Sequence, residues 1–323
     1  MKAMLPMARR TRTLWTDARV DRLCTLLRGG ATIETAATAL GLTRGGLAAQ
    51  IGKMKARGDT RLPELKRGRR DGKRTPAERL RRHASVDGRR APLVLPEHHR
   101  AVVSAEPLFA GRVTDPADAR RALISGVNSR KIGGKVTKGA RRGWPIFTLT
   151  LPERTTCPAS CSEWRSCYGN GSNWAVRLMP GDALEKKIWD ELAALQARHP
   201  RGFLVRLHIL GDFHSVAYVD FWRRALAEFP ALHAFGFTAR LPGADPIGAA
   251  VEALSTAQWD RFVIRVSGRR SPEKSSIVSD LADDPNESLG IVCPAQTGAS
   301  LCCATCALCF TPGFTRSIVF RRH

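Results

Sequence analysis

The chain has 323 residues, room for two compact domains, and its 43% hydrophobic content excludes wholesale disorder. Lys and Arg number 52 against 29 Asp and Glu; residues 1–143 carry 33 of those basic groups against 12 acidic ones, and residues 144–323 carry 19 against 17. No apolar run approaches the roughly 18 residues of a membrane span, and the basic opening Met1–Thr13 has no apolar signal core. The expectation is therefore a cytoplasmic chain with a nucleic-acid-binding arm, a nearly neutral second part and no membrane partner.

Residues 1–56 read as a small helical domain. Trp15, Val20, Leu23, Leu26 and Leu27 recur at helical spacing behind a Thr16 or Asp17 cap, and Cys24 falls on that apolar face. A second helix is predicted from Thr32 to Leu40, with Ile33, Ala36, Ala37 and Leu40 on one side. Gly41 permits a tight turn, and Thr43 caps a third helix to about Lys55 with Leu47 and Ile51 inward. Helix, short glycine turn, helix is the helix-turn-helix pattern, which would aim Arg44, Gln50, Lys53 and Lys55 at DNA. Any three-helix bundle shows the same apolar spacing; the positive charge around it tips the reading. Leu14-Trp15-Thr16-Asp17, then Gly41-Leu42-Thr43-Arg44 and Ile51-Gly52-Lys53, resemble the GcrA-type bacterial regulators. That resemblance implies DNA as the partner, with transcription machinery beyond it; Gly45 to Ala49 depart from the family pattern.

Residues 57–100 read as a basic flexible linker, with 14 Lys and Arg against 6 Asp and Glu. Arg67, Arg69 and Arg70 can neutralise phosphates there without reading sequence. In residues 101–143, Thr114-Asp115-Pro116 suits a helix start, with the helix running to about Ser125 and stopping at Gly126. Gly133-Gly134-Lys135 lacks the first glycine and the spacing of a phosphate-binding loop.

Beyond residue 144 strands and helices alternate. Strands are predicted at Ile146–Leu151, Phe203–Leu210, Leu232–Thr238, Phe262–Ser267 and Leu289–Cys293. Helices are predicted with Leu184, Ile188, Leu192 and Leu195 on one face, from Val216 to Phe229, and from Pro246 to Leu254 behind an Asp245 cap. The fold class is thus α/β: a helix-turn-helix domain, a linker, then residues 101–323 as a cysteine-rich (β/α) domain with a parallel sheet, open or closed into a partial barrel. In such folds sites gather beyond the carboxyl ends of the strands. The loops there hold Cys157, Cys161 and Cys167; Gly211, Asp212 and His214; Arg240; Arg269 and Arg270; and Cys293 with the closing cysteines. His208, inside an apolar strand, reads as core; His214 suits proton relay or ligation.

Eight of the nine cysteines cluster, and without an export signal clustered cysteines read as metal ligands rather than disulfides. Cys157, Cys161 and Cys167 can hold three corners of one metal or cluster and leave a fourth open. In the second group the ligand set is predicted as Cys293, Cys302, Cys306 and Cys309, with Cys303 spare or replacing Cys302; zinc or a second iron–sulfur cluster fits four thiolates equally. Thr156-Cys157-Pro158, Cys167-Tyr168, Gly211-Asp212-Phe213, Cys293-Pro294 and the closing cysteine steps resemble uncharacterised cysteine-rich phage and prophage proteins. The order of cysteine loop, Leu210-Gly211-Asp212 and Thr238-Ala239-Arg240 is also similar to radical S-adenosylmethionine enzymes, although the second cysteine gap is five residues where that family has two. This likeness implies an iron–sulfur cluster on Cys157, Cys161 and Cys167 and S-adenosylmethionine near Gly211, Asp212 and Arg240; with His214 from the same loop, Asp212 and Arg240 are the catalytic candidates. The expected function is a DNA-binding protein whose iron–sulfur domain acts on nucleic acid; the alternative is a transcription regulator that metals merely stabilise.

Overall fold

A computed structural model describes residues 15–63, 93–129, 131–268, 271, 273–279 and 290–321. It divides into two units, Met1–Lys73 and Arg74–His323.

The first unit holds α1 (Asp17–Arg28), α2 (Ile33–Ala39) and α3 (Arg44–Ala56). Each begins at a threonine whose hydroxyl accepts a backbone N–H three residues on: Thr16 from Arg19, Thr32 from Thr35 and Thr43 from Gly46. The predicted periodicity is the observed core, with Leu23, Cys24, Ala36, Ala37, Leu47, Ile51 and Met54 buried together. Arg61 closes the unit by bonding Asp17 and Asp59.

The second unit is built on an eight-stranded sheet ordered β2-β3-β5-β6-β7-β8-β10-β9. Its strands are β2 (Ile124–Ser125), β3 (Ile146–Thr148), β5 (Phe203–Leu207), β6 (Leu232–Thr238), β7 (Phe262–Ser267), β8 (Ser275–Ser279), β9 (Ile291–Val292) and β10 (Ile318–Arg321). Every pairing is parallel except β2 with β3, and among the described residues the sheet stays open between β2 and β9. A separate parallel pair joins β1 (Val113–Thr114) to β4 (Arg177–Leu178).

Alternation along the strands sorts the core. Phe147, Phe203, Val205, Leu207, Leu232, Ala234, Phe262 and Ile264 pack under α4 (Asp182–Arg198), α5 (Val216–Glu228) and α6 (Pro246–Ala257). Ile146, Leu204, Phe235 and Val263 point to the opposite face, where the cysteine-rich segment around Ala304, Ala307 and Phe310 covers them.

Three expectations are corrected. No helix forms from Thr114 to Ser125. The Asp115 carboxylate accepts the Ala117 N–H at 2.7 Å, making a local turn, and the Glu191 carboxylate takes the Ala122 and Leu123 N–H groups at 2.8 Å each, which holds that stretch extended into β2. The strand from Phe203 ends at Leu207, because His208 turns to φ +53°. Residues 93–100 are not an isolated tether: Leu95 exchanges hydrogen bonds with Arg165, and Asn170 donates to the Leu93 carbonyl.

Candidate metal centre

The loop between β3 and β4 carries Cys157, Cys161 and Cys167, and an internal ion pair shapes it. Glu153 and Arg177 are 1% and 0% exposed and meet through two bonds of 2.6 and 2.9 Å. Arg177 also donates to the carbonyls of Gly169, Ser172 and Ala175. Next to it Arg154, at φ +63°, donates to the Trp164 carbonyl and to the Asn170 side chain, and its buried Nη1 has no hydrogen-bond partner. This loop therefore buries two guanidiniums, with Glu153 paired to Arg177, while the Glu163 carboxylate between Cys161 and Cys167 accepts from the Ser166 hydroxyl at 2.6 Å.

The ends of β3, β5 and β6 are bolted together beside these cysteines. Asp212, after β5, is buried; its Oδ1 accepts the Phe213 N–H at 2.8 Å and its Oδ2 the Ala239 N–H at 2.7 Å. Its own N–H donates to Thr156 Oγ1 at 3.0 Å. Arg240, after β6, donates to Asp245 at 2.6 Å, to the Thr156 carbonyl at 3.0 Å and to the Phe213 carbonyl. Gly211 has φ +80°, and a Cβ there would stand 2.6 Å from both Leu151 Cβ and Thr156 Oγ1, so only glycine allows this approach. The structure thus brings Cys157, Cys161, Cys167, Gly211, Asp212 and Arg240 to one end of the sheet. It also gives Asp212 and Arg240 bracing partners. His214 stacks on Tyr218 at 4.4 Å, and its buried Nε2 has no partner. His208 is core, sharing a 3.3 Å hydrogen bond with the Tyr218 hydroxyl.

Burial sets the electrostatics. It pushes the Cys157 thiol well above its ordinary range, with the Asp212 charge adding to the effect. It raises Cys161 to about 11 and raises Cys167, where the Gly169 N–H opposes it most, Glu153 adds to it, and Arg154 and Arg177 oppose it further. Asp212 is pushed up to about 6 by burial, against the N–H donors that favour its charge. Among the described residues no three His, Cys, Asp or Glu side chains stand as they are in an arrangement that could hold a metal ion. Since ligation requires thiolates, a metal would have to displace the thiol protons and draw the sulfurs inward. The buried Arg154, with its spare N–H and no carboxylate, fits a negatively charged metal–thiolate group.

The second cysteine group lies elsewhere. Its Cys302 to Cys309 segment packs against the sheet face opposite α4 to α6, with Phe310 at 4.9 Å on Phe235, and Cys293 follows the end of β9. Cys293, Cys303, Cys306 and Cys309 line one cavity there, floored by Ile318. Cys302 does not line it. Its sulfur rests on Gly133, where a Cβ would come within 2.7 Å, and sits 3.4 Å from Thr305 Oγ1.

On α3, Arg44, Lys53 and Lys55 are exposed and Gln50 is partly exposed. Arg67, Arg69, Arg70, Arg269 and Arg270 lie outside the described residues. Sequence reasoning passed over Glu153, Arg154 and Arg177, and also Arg206 and Arg265. The last two had a signal: Phe203-Leu204-Val205-Arg206-Leu207 and Phe262-Val263-Ile264-Arg265-Val266 each place one arginine at the same alternate position of an apolar strand. No family model, curated protein or solved structure matches the chain. Among the described residues no helix is long and apolar enough to cross a membrane.

Proposed function

We propose that the second unit is an iron–sulfur enzyme of the radical S-adenosylmethionine kind, directed to nucleic acid by the first. The reading rests above all on Arg154. Three thiolates around a doubly positive [4Fe–4S] core carry one negative charge, and Arg154 in the same loop is a buried guanidinium with no ion-pair partner among the described residues, the Glu153 carboxylate being taken by Arg177. An uncompensated buried guanidinium is costly, and a cluster on Cys157, Cys161 and Cys167 removes that cost. The loop follows a strand of a largely parallel sheet, where open sheets of this class place their ligands.

A cluster held there by Cys157, Cys161 and Cys167, with S-adenosylmethionine and one electron from a low-potential reductant, would cleave a carbon–sulfur bond of the sulfonium, release methionine and supply a carbon radical able to take a hydrogen atom from the substrate. The chain's own part is positioning. Asp212 and Arg240 fix the three loops relative to one another, and Gly211 lets them close. His214 keeps a buried nitrogen available for a hydrogen bond. Arg44, Gln50, Lys53 and Lys55 would hold DNA, largely through its phosphates.

The second reading is a transcription regulator stapled by zinc; the capped three-helix unit favours it, and one zinc on three thiolates carries the same charge as the open cluster. Iron, sulfide and zinc content of anaerobically purified protein separates the two. About four irons and four sulfides per chain at the first loop, a visible band bleached by dithionite and loss of S-adenosylmethionine cleavage in Cys161→Ala support the enzyme. Zinc alone, with no absorbance after reconstitution, overturns it.

A further inference from the structure

We propose that Cys293, Cys303, Cys306 and Cys309 form a second, four-thiolate metal site on the face of the sheet opposite α4 to α6, counter-charged by Arg206 and Arg265, with Cys302 outside it. This does not rest on the chemistry proposed for the first loop.

The geometry of the five cysteines selects the four. Cys303 N–H bonds the Lys131 carbonyl at 2.9 Å and Ala304 N–H the Ile132 carbonyl at 2.8 Å, which fastens this turn to the 131–137 segment. In that frame Cys302 is extended, at φ −167°, and its sulfur is directed onto Gly133. Cys303, Cys306 and Cys309 follow at steps of three residues, with Ala307 at φ +67° turning the chain between them. All three reach the cavity, as does Cys293 from the end of β9.

The surroundings supply the charge. Arg265 is fully buried, lying 5.6 Å from the rings of Trp259 and Phe314 and donating to the carbonyls of Phe314 and Arg316; its Nε has no partner. Arg206 lies 4.7 Å over Phe237 and donates to the Leu207 carbonyl. Among the described residues neither has a carboxylate partner, and the acidic groups that act on them are the thiols of Cys303 and Cys309 for Arg206, and of Cys309 for Arg265. With four neutral thiols these two charges are uncompensated. Four thiolates around a doubly positive centre, whether a zinc ion or a [4Fe–4S] core, carry two negative charges, which the buried Arg206 and Arg265 offset together with Lys131 beside Cys303 and Lys138 beside Cys306. Uptake of one divalent ion by the four thiols forms four metal–sulfur bonds and releases four protons.

The test is cobalt(II) titration of the full-length apo chain without oxygen, comparing wild type, Cys302→Ser, Cys303→Ser and Cys303→His. The first loop contributes equally to all four, so differences in the sulfur-to-cobalt charge-transfer band belong to the second site. Cys302→Ser should match wild type, Cys303→Ser should lose the second site's tetrathiolate band, and Cys303→His should shift it while circular dichroism stays unchanged. Arg206→Met should weaken cobalt binding about 10- to 100-fold, the usual effect of removing an outer partner of a metal site, and Arg206→Lys should restore most of it. A band that depends on Cys302 and not Cys303, or identical titrations for all four, overturns the site. Unchanged affinity in Arg206→Met overturns the counter-charge. Metal analysis of the unreconstituted protein then distinguishes zinc from an iron–sulfur core.

Discussion

Removing Glu153 or Arg177 should destabilise the cysteine loop unequally. The pair is bidentate and dry, at 0% and 1% exposure, and breaking such a pair from one side costs about 3–5 kcal/mol. The two sides differ in what they leave behind. Glu153→Gln leaves Arg177 with the carbonyls of Gly169, Ser172 and Ala175, so its charge keeps partial solvation and the cost falls near 3 kcal/mol. Arg177→Met leaves the Glu153 carboxylate without either of its two donors, and the cost approaches about 5 kcal/mol. The double variant should recover a part of the sum, because neither charge then remains buried alone. Urea unfolding followed by tryptophan emission reads this, since six of the seven tryptophans lie in the second unit. If both single variants fall within about 1 kcal/mol of wild type, the range typical of exposed pairs, the loop is not held by this ion pair.

Gly211→Ala should destabilise the second unit by about 1–3 kcal/mol, from the positive φ and from overpacking against Leu151 and Thr156; a midpoint unchanged in urea would refute the close approach. Asp212, pushed up to about 6 by burial, holds in the folded state a proton that the unfolded chain releases near 4. Stability from this group is therefore full below about pH 4 and is lost as pH rises toward 6, and the difference between wild type and Asp212→Asn should change over that interval only. His233 has the opposite sign: burial and Arg141 bring it down to about 4. Wild type should lose stability relative to His233→Gln as pH falls from about 6.5 to 4, and a constant difference in parallel melts would contradict it. In the first unit Thr43→Ala should cost about 0.5–2 kcal/mol by removing the α3 cap, read as a lower melting temperature of residues 1–73; no shift would show that the hydroxyl bond is not formed in solution.

The local features of this protein are written in its sequence. Threonine caps and i, i+3, i+4 apolar spacing specify α1 to α3 by short-range interactions alone, and Leu184, Ile188, Leu192 and Leu195 specify the buried face of α4 in the same way. The strands from Ile146, Phe203, Leu232 and Phe262 are legible because apolar runs between helical segments have few other solutions. Thr114 to Ser125 escaped because its conformation depends on Glu191, about 70 residues away, whose carboxylate takes two backbone N–H groups that local propensity cannot see. The first cysteine loop was visible from its spacing, whereas the guanidiniums inside it were not, since an arginine in a sequence reads as surface until a fold removes its water. Tertiary structure likewise separated the two cysteine groups. Spacing alone could not choose between Cys302 and Cys303, because adjacent residues point in different directions, and only the hydrogen bonds from Cys303 and Ala304 to Lys131 and Ile132 fix which sulfur turns toward Cys293, Cys306 and Cys309.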